Sequence, residues 1–180
     1  MTTRRVIRFK FAADKALAAI HWMVCQSQPL DLHTMLKTCY FADKALLNSE
    51  GRPIFGATYR AMKFGPVPLE IYEMAKGEPL WLAELGLPQF PWQLKGYRLS
   101  LDSNCQPDTG ALSEQDLAAL EDALAYAKSL SFNGRTAATH GADWQAADLG
   151  VMRYEDMLDE TPGRAGQIAE LSEMAPFMRL

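Results

Sequence analysis

The side chains of widest chemical use in this sequence are three histidines, His21, His33 and His140, and three cysteines, Cys25, Cys39 and Cys105. A helical zinc pair needs two histidines four residues apart, and a metalloprotease helix needs H-E-x-x-H; neither spacing occurs. The cysteine count is odd and no C-x-x-C exists, which argues against a disulfide framework or structural zinc and fits a reducing cytosol. Cys39 with His33 or His140 as base would make a thiol nucleophile. However, Cys39 falls in the apolar stripe of a helix, the setting of a structural thiol. His21 also sits on an apolar helical face. Asp43 and Glu50 read as ordinary helix carboxylates, with no partner for acid–base work. Neither a phosphate-binding glycine loop nor a dinucleotide fingerprint occurs, so no cofactor is expected. The chain reads as non-enzymatic, with a hidden site at Cys39, His33 or His140 as the reading to eliminate.

Without catalytic groups, a protein acts by surface complementarity, and a few anchors supply most of the binding energy. Tyr59 and Lys63 lead into Gly65-Pro66-Val67-Pro68, and Tyr72 leaves it. Pro66 and Pro68 restrain the backbone, which lowers the ordering cost of binding, and tyrosines are common interface anchors. The same Gly-Pro-x-Pro could serve only to shape the fold. Tyr40 and Asp43 read as further contact candidates, or as helix packing and a surface charge. His140 and Trp144 are four apart and are expected to share one helical face.

Composition bounds the answer. The chain has 180 residues, 48% apolar and 22% charged, enough for one domain with a real core. No apolar run approaches the roughly 18 residues that span a bilayer. The net charge of −4 argues against a generic nucleic-acid binder. Residues 1–101 carry 13 basic and 8 acidic side chains, while residues 102–180 carry 5 and 14, so the two halves differ in sign. Residues 1–12 read as a basic leader through Arg4, Arg5, Arg8 and Lys10; a nucleic-acid arm is the alternative. Lys10, Asp14 and Lys15 interrupt any apolar export segment, so the expected location is cytoplasmic.

The elements follow from periodicity and punctuation. Leu17, Ile20 and Val24 mark a helix over about 12–26, ended by Gln28-Pro29. Asp31 is an N-cap, and the stripe from Leu32 to Leu47 runs to Gly51. Residues 57–64 read as a short strand, 65–68 as a rigid turn, and the next residues as a helix stopped at Gly77. Residues 79–96 read as irregular chain and 97–101 as a half-buried strand. Asp102-Ser103-Asn104 reads as a turn. Ser113 and Asp116 open a strong helix. Residues 136–149 read as short, small-residue helix or loop and 154–158 as a helical turn or two, and Thr161-Pro162 opens a last helix to about Met174. The result is an α+β, mostly α-helical fold, with residues 13–180 forming one compact helical domain with a small antiparallel β element.

One run is more specific. Lys37-Thr38-Cys39-Tyr40-Phe41-Ala42-Asp43 is followed by Gly51-Arg52-Pro53-Ile54-Phe55-Gly56, then Tyr59-Arg60-Ala61-Met62-Lys63-Phe64-Gly65-Pro66-Val67-Pro68 and Tyr72. Thr139-His140 with Trp144 completes the pattern. The run resembles the core signature of the Panacea-domain antitoxins of bacterial toxin–antitoxin pairs, in their SocA-like branch. Thr38-Cys39 replace the usual leucines, and Thr139 the usual serine. The resemblance implies an antitoxin that neutralises a cognate toxin by direct protein contact. The SocA-like branch further implies a proteolytic adaptor that presents its toxin to the ClpXP protease. Pro66, Pro68, Tyr59, Lys63, Tyr72, Tyr40, Asp43, His140 and Trp144 are the partner-binding candidates.

Overall fold

Helix α2 (Leu32–Glu50) runs through the centre of the molecule, seen here in a computed structural model that describes residues 6–102 and 106–180. Asp31 caps it by accepting a hydrogen bond from the Thr34 amide at 2.9 Å. Gly51 ends it in the left-handed conformation, φ +70°, which a residue lacking Cβ adopts at little cost. The apolar stripe is so wide that both flanks are buried, including Lys37, Thr38 and Asp43.

Helix α5 (Glu114–Ser129) lies along α2 and buries Leu120, Ala123, Leu124 and Ala127. Its start is the expected capping box between Ser113 and Asp116. The Asp116 carboxylate also takes Lys15 Nζ at 2.7 Å and Arg52 Nη1 at 2.8 Å, tying helix α1 (Ala13–Gln26) and the α2 exit to the same helix end. Those donors hold Asp116 below the usual carboxylate range despite the opposing pull of burial.

Two small antiparallel sheets flank the helices. Strand β2 (Tyr59–Met62) pairs with β3 (Gly65–Pro68). Strands β1 (Leu30–Asp31), β4 (Trp92–Lys95) and β5 (Arg98–Leu101) form the other, in the order β1-β5-β4. The remaining helices are α3 (Leu69–Lys76), α4 (Pro79–Leu85), α6 (Phe132–Thr139), α7 (Ala142–Ala147), α8 (Tyr154–Met157) and α9 (Arg164–Met174), followed by a 3-10 turn at Ala175–Phe177. Among the described residues no helix is long and apolar enough to cross a membrane.

Several expectations need correcting. Gly65–Pro68 is a strand, and the turn is the Lys63-Phe64 pair before it. Ladder bonds in an antiparallel pair alternate, so closure at Met62–Gly65 leaves Pro66 and Pro68 where no amide donor is required of them. The expected irregular stretch 79–96 contains α4 and β4. Pro79 suits a first helical turn and Gly86 ends α4 at φ +66°, whereas β4 is defined only by its pairing with β5. The leader is also not a solvated tail where it is described. Ile7 is buried, Phe9 meets Tyr154 edge-on, and the Ala12 amide bonds to Phe55 O at 2.8 Å, while Val6, Arg8 and Lys10 are exposed. Arg4, Arg5, Cys105 and the turn at Ser103-Asn104 lie outside the described residues. At the other end Ala175 is buried and Met178 packs against the core, while Phe177 remains exposed.

Candidate functional site

The signature residues fall into a buried polar scaffold and a groove that it supports. Asp43 is 0% exposed. Its Oδ1 accepts the Ile54 and Phe55 amides at 2.7 and 3.2 Å, and its Oδ2 accepts the Tyr59 hydroxyl at 2.7 Å. Burial pushes Asp43 up to about 7, against the opposing effect of these three donors. One turn earlier, the Tyr40 hydroxyl donates to Asp143 Oδ2, which Lys44 Nζ also reaches at 3.1 Å. The other oxygen of Asp143 accepts the Trp144 amide at 2.8 Å, and Trp144 Nε1 donates to Met62 O at 2.9 Å. The β2–β3 hairpin is thereby fixed to both α2 and α7.

These contacts revise two expectations. Asp43 is a buried hub, not a surface charge, and Tyr40 and Tyr59 are buried with it. All three side chains point into the interior and shape the backbone around them. His140 and Trp144 do meet, with rings stacked 3.7 Å apart at 11°. They do so from different elements, because His140 caps the end of α6 and Trp144 lies in α7 beyond Gly141.

The hairpin is seated on α2 and α6 by an unusual lysine. Lys37 is only 1% exposed, and its Nζ donates to Pro66 O at 2.7 Å. That carbonyl belongs to a strand position that the ladder leaves unpaired. Burial, with the nearby Arg135 guanidinium, holds Lys37 down to about 7. Arg135 donates to the Leu130 and Ala127 carbonyls at 2.6 and 3.1 Å, and through Nε to His33 Nδ1 at 3.1 Å. His33 Nδ1 is thus an acceptor, which places its proton on Nε2, where it donates to Phe64 O at 3.0 Å. Burial and Lys37 hold His33 down to about 4, so the ring is neutral at physiological pH.

Lys37 has a measurable signature. Between about pH 7 and 10.5 the unfolded chain binds a proton at this site that the folded chain does not. Stability of the wild type relative to Lys37→Met is therefore expected to rise across that window, by up to about 1.4 kcal/mol per pH unit, and to stay level below it. Urea denaturation of both proteins at several pH values checks this; a flat difference would show that the lysine is not neutralised on folding.

Over this scaffold opens a groove of about 670 Å³. The start of α2, the hairpin and the start of α6 form its walls, with Tyr97 at one end. Of the sequence candidates, Lys63 and Tyr72 line it. Pro66 and Pro68 are buried in the strand beneath, and His140 with Trp144 stands behind the hairpin. Phe64 and Phe132, 48% and 42% exposed, were not among the candidates; they meet edge-on at 5.2 Å, and His33 lies 4.1 Å from Phe132. Tyr97, 77% exposed, was missed as well. The sequence signal for them was weak: Phe64 falls within the quoted signature run, and Lys63-Phe64 and Tyr97-Arg98 each set a basic residue beside the aromatic.

Cys39 has no place in this groove. It is wholly buried, with its thiol directed to Met35 Sδ at 3.9 Å, and burial pushes it far above the usual thiol range. The thiol-nucleophile reading fails on those grounds. Among the described residues no three His, Cys, Asp or Glu side chains converge as a metal site would require.

The family model of the antitoxin SocA-like Panacea domain matches residues 35–145. The chain belongs to that antitoxin family. The matched span carries most of α2, the hairpin, α6 and Trp144, and so nearly all of the groove and scaffold. No curated protein and no solved structure matches the chain.

Proposed function

We propose that this Panacea-domain chain neutralises a cognate toxin by stoichiometric protein contact, using the face that carries the groove and no chemistry of its own side chains. The observation that carries the reading is coincidence: the segment that makes the chain a family member is the one that builds a rigid, partly apolar groove rimmed by exposed aromatics. Exposed aromatics around a preformed concavity suit protein recognition, because the anchors lose little freedom on binding.

Co-expression with the protein encoded beside it tests this. The neighbour alone is expected to arrest growth, and this chain to restore it and co-purify with the neighbour. A neighbour that is harmless, or equally toxic in its presence, removes the proposal. Delivery to ClpXP is a separable second step of the same reading, motivated by the resemblance of the sequence signature to the SocA-like branch. Purified protease should then degrade the toxin only when this chain is added, and equal turnover without it removes the adaptor step alone.

A further inference from the structure

The groove has a charge as well as a shape. Among the described residues Asp31 is the single acid that lines it, and that carboxylate is already engaged, capping α2 through the Thr34 amide and lying 3.6 Å from Arg135 Nη2. Against it stands Lys63 at the rim. Lys63 Nζ rests 5.1 Å above the Phe64 ring, and no carboxylate pairs with it among the described residues. Lys95 and Arg98 flank Tyr97 at the tip of the β4–β5 hairpin and are direct cross-strand partners. Two like charges opposite each other are destabilising without an outside counter-charge. Both are exposed and also lack an ion pair among the described residues.

The groove therefore combines apolar walls with exposed cations beside it that have no ion-pair partner among the described residues.

From this complementarity we infer that the groove receives an acidic segment of the partner protein, with an apolar or aromatic side chain seated between Phe64, Phe132 and Tyr97 and a neighbouring carboxylate held by Lys63. The inference rests on the protein-contact function proposed above and specifies the chemistry of the segment that is held. A basic segment would meet Lys63, Lys95 and Arg98 with like charge, which costs affinity and slows encounter.

A displayed library of random short peptides, selected on the intact wild-type protein, tests the inference without the toxin. Enriched sequences are expected to place Phe, Trp or Leu beside Asp or Glu. Their binding is expected to weaken with added salt and to fall about tenfold or more in Lys63→Glu. Lys63 is exposed, so that variant keeps the fold; Phe132→Ser, equally superficial, should lower affinity by removing the apolar seat. Enrichment of basic or uncharged peptides, no enrichment, or affinity unchanged in both variants overturns the inference, as does self-association that closes the groove with a second copy. If the toxin is still neutralised by both variants while no acidic peptide is selected, this inference falls and the protein-contact function stands. If the wild type fails to neutralise the toxin, that function falls instead.

Discussion

Replacing Gly65 with alanine is expected to destabilise the protein by about 3–5 kcal/mol, combining backbone strain with overpacking. Gly65 holds φ +108°, a region that side-chain-bearing residues rarely enter. A Cβ there would collide with Thr139 Oγ1 and lie 2.7 Å from Lys37 Cε. Thr139 has little room to yield, because its hydroxyl donates back to Arg135 O at 2.9 Å within α6. Lys37 is equally confined by its bond to Pro66 O. The glycine lets the hairpin close onto α2 and α6 together. Adding Thr139→Ala to Gly65→Ala is expected to recover the part of the loss due to the Thr139 collision, leaving the parts due to φ and to Lys37. Urea unfolding of the single and double variants measures both; a single variant within about 0.5 kcal/mol of wild type would show that the hairpin does not seat as described.

Asp43→Ala should cost a similar amount, about 3–5 kcal/mol. Two backbone amides and the Tyr59 hydroxyl would lose their shared acceptor in an environment closed to water. Asp43→Asn should cost less. The amide oxygen can still take the two amides, and the side chain copies the neutral acid that burial favours at this site. Tyr59→Phe, which removes one hydroxyl, should cost about 1–2 kcal/mol. The order Ala, Asn, Phe in falling severity, read from thermal or urea unfolding, checks the hub. Equal stability of Asp43→Ala and wild type would mean that the three donors find another acceptor. Tyr59 reads from the sequence as a partner-binding candidate, but Tyr59→Ala is expected to unfold the region, since the ring is buried between Tyr40 and Tyr154. Lys63→Glu is the substitution that reads the surface.

The polar cluster also accounts for the signature. Lys37, Tyr40 and Asp43 lie three residues apart along α2, a spacing that keeps them on neighbouring turns of the same side. Lys37 anchors the hairpin at Pro66, Tyr40 anchors α7 through Asp143, and Asp43 anchors the loop before β2. A buried polar network of this kind is costly if any member is unpaired, and so it commits the surrounding loops to one arrangement.

The sequence alone determined what depends on neighbours along the chain. Asp31 and Ser113 start helices, Gly51 and Gly77 stop them, and the wide stripe of α2 makes it central, because capping and periodicity act within one or two turns. The signature from Lys37 to Tyr72 also identified the family. Tertiary structure alone decided the rest. It turned Asp43 from a surface charge into a buried hub, made Gly65–Pro68 a strand, and paired β4 with β5. It also gathered Phe64, Tyr97 and Phe132 at one groove, though they lie far apart in the chain. Each of those outcomes depends on a group outside the element concerned: the Asp43 donors lie 11 to 16 residues further on, the hairpin strands pair across a turn, and the groove aromatics come from three separate segments. Burial, strand pairing and charge shifts are set by such groups, and no local pattern of residue types encodes them.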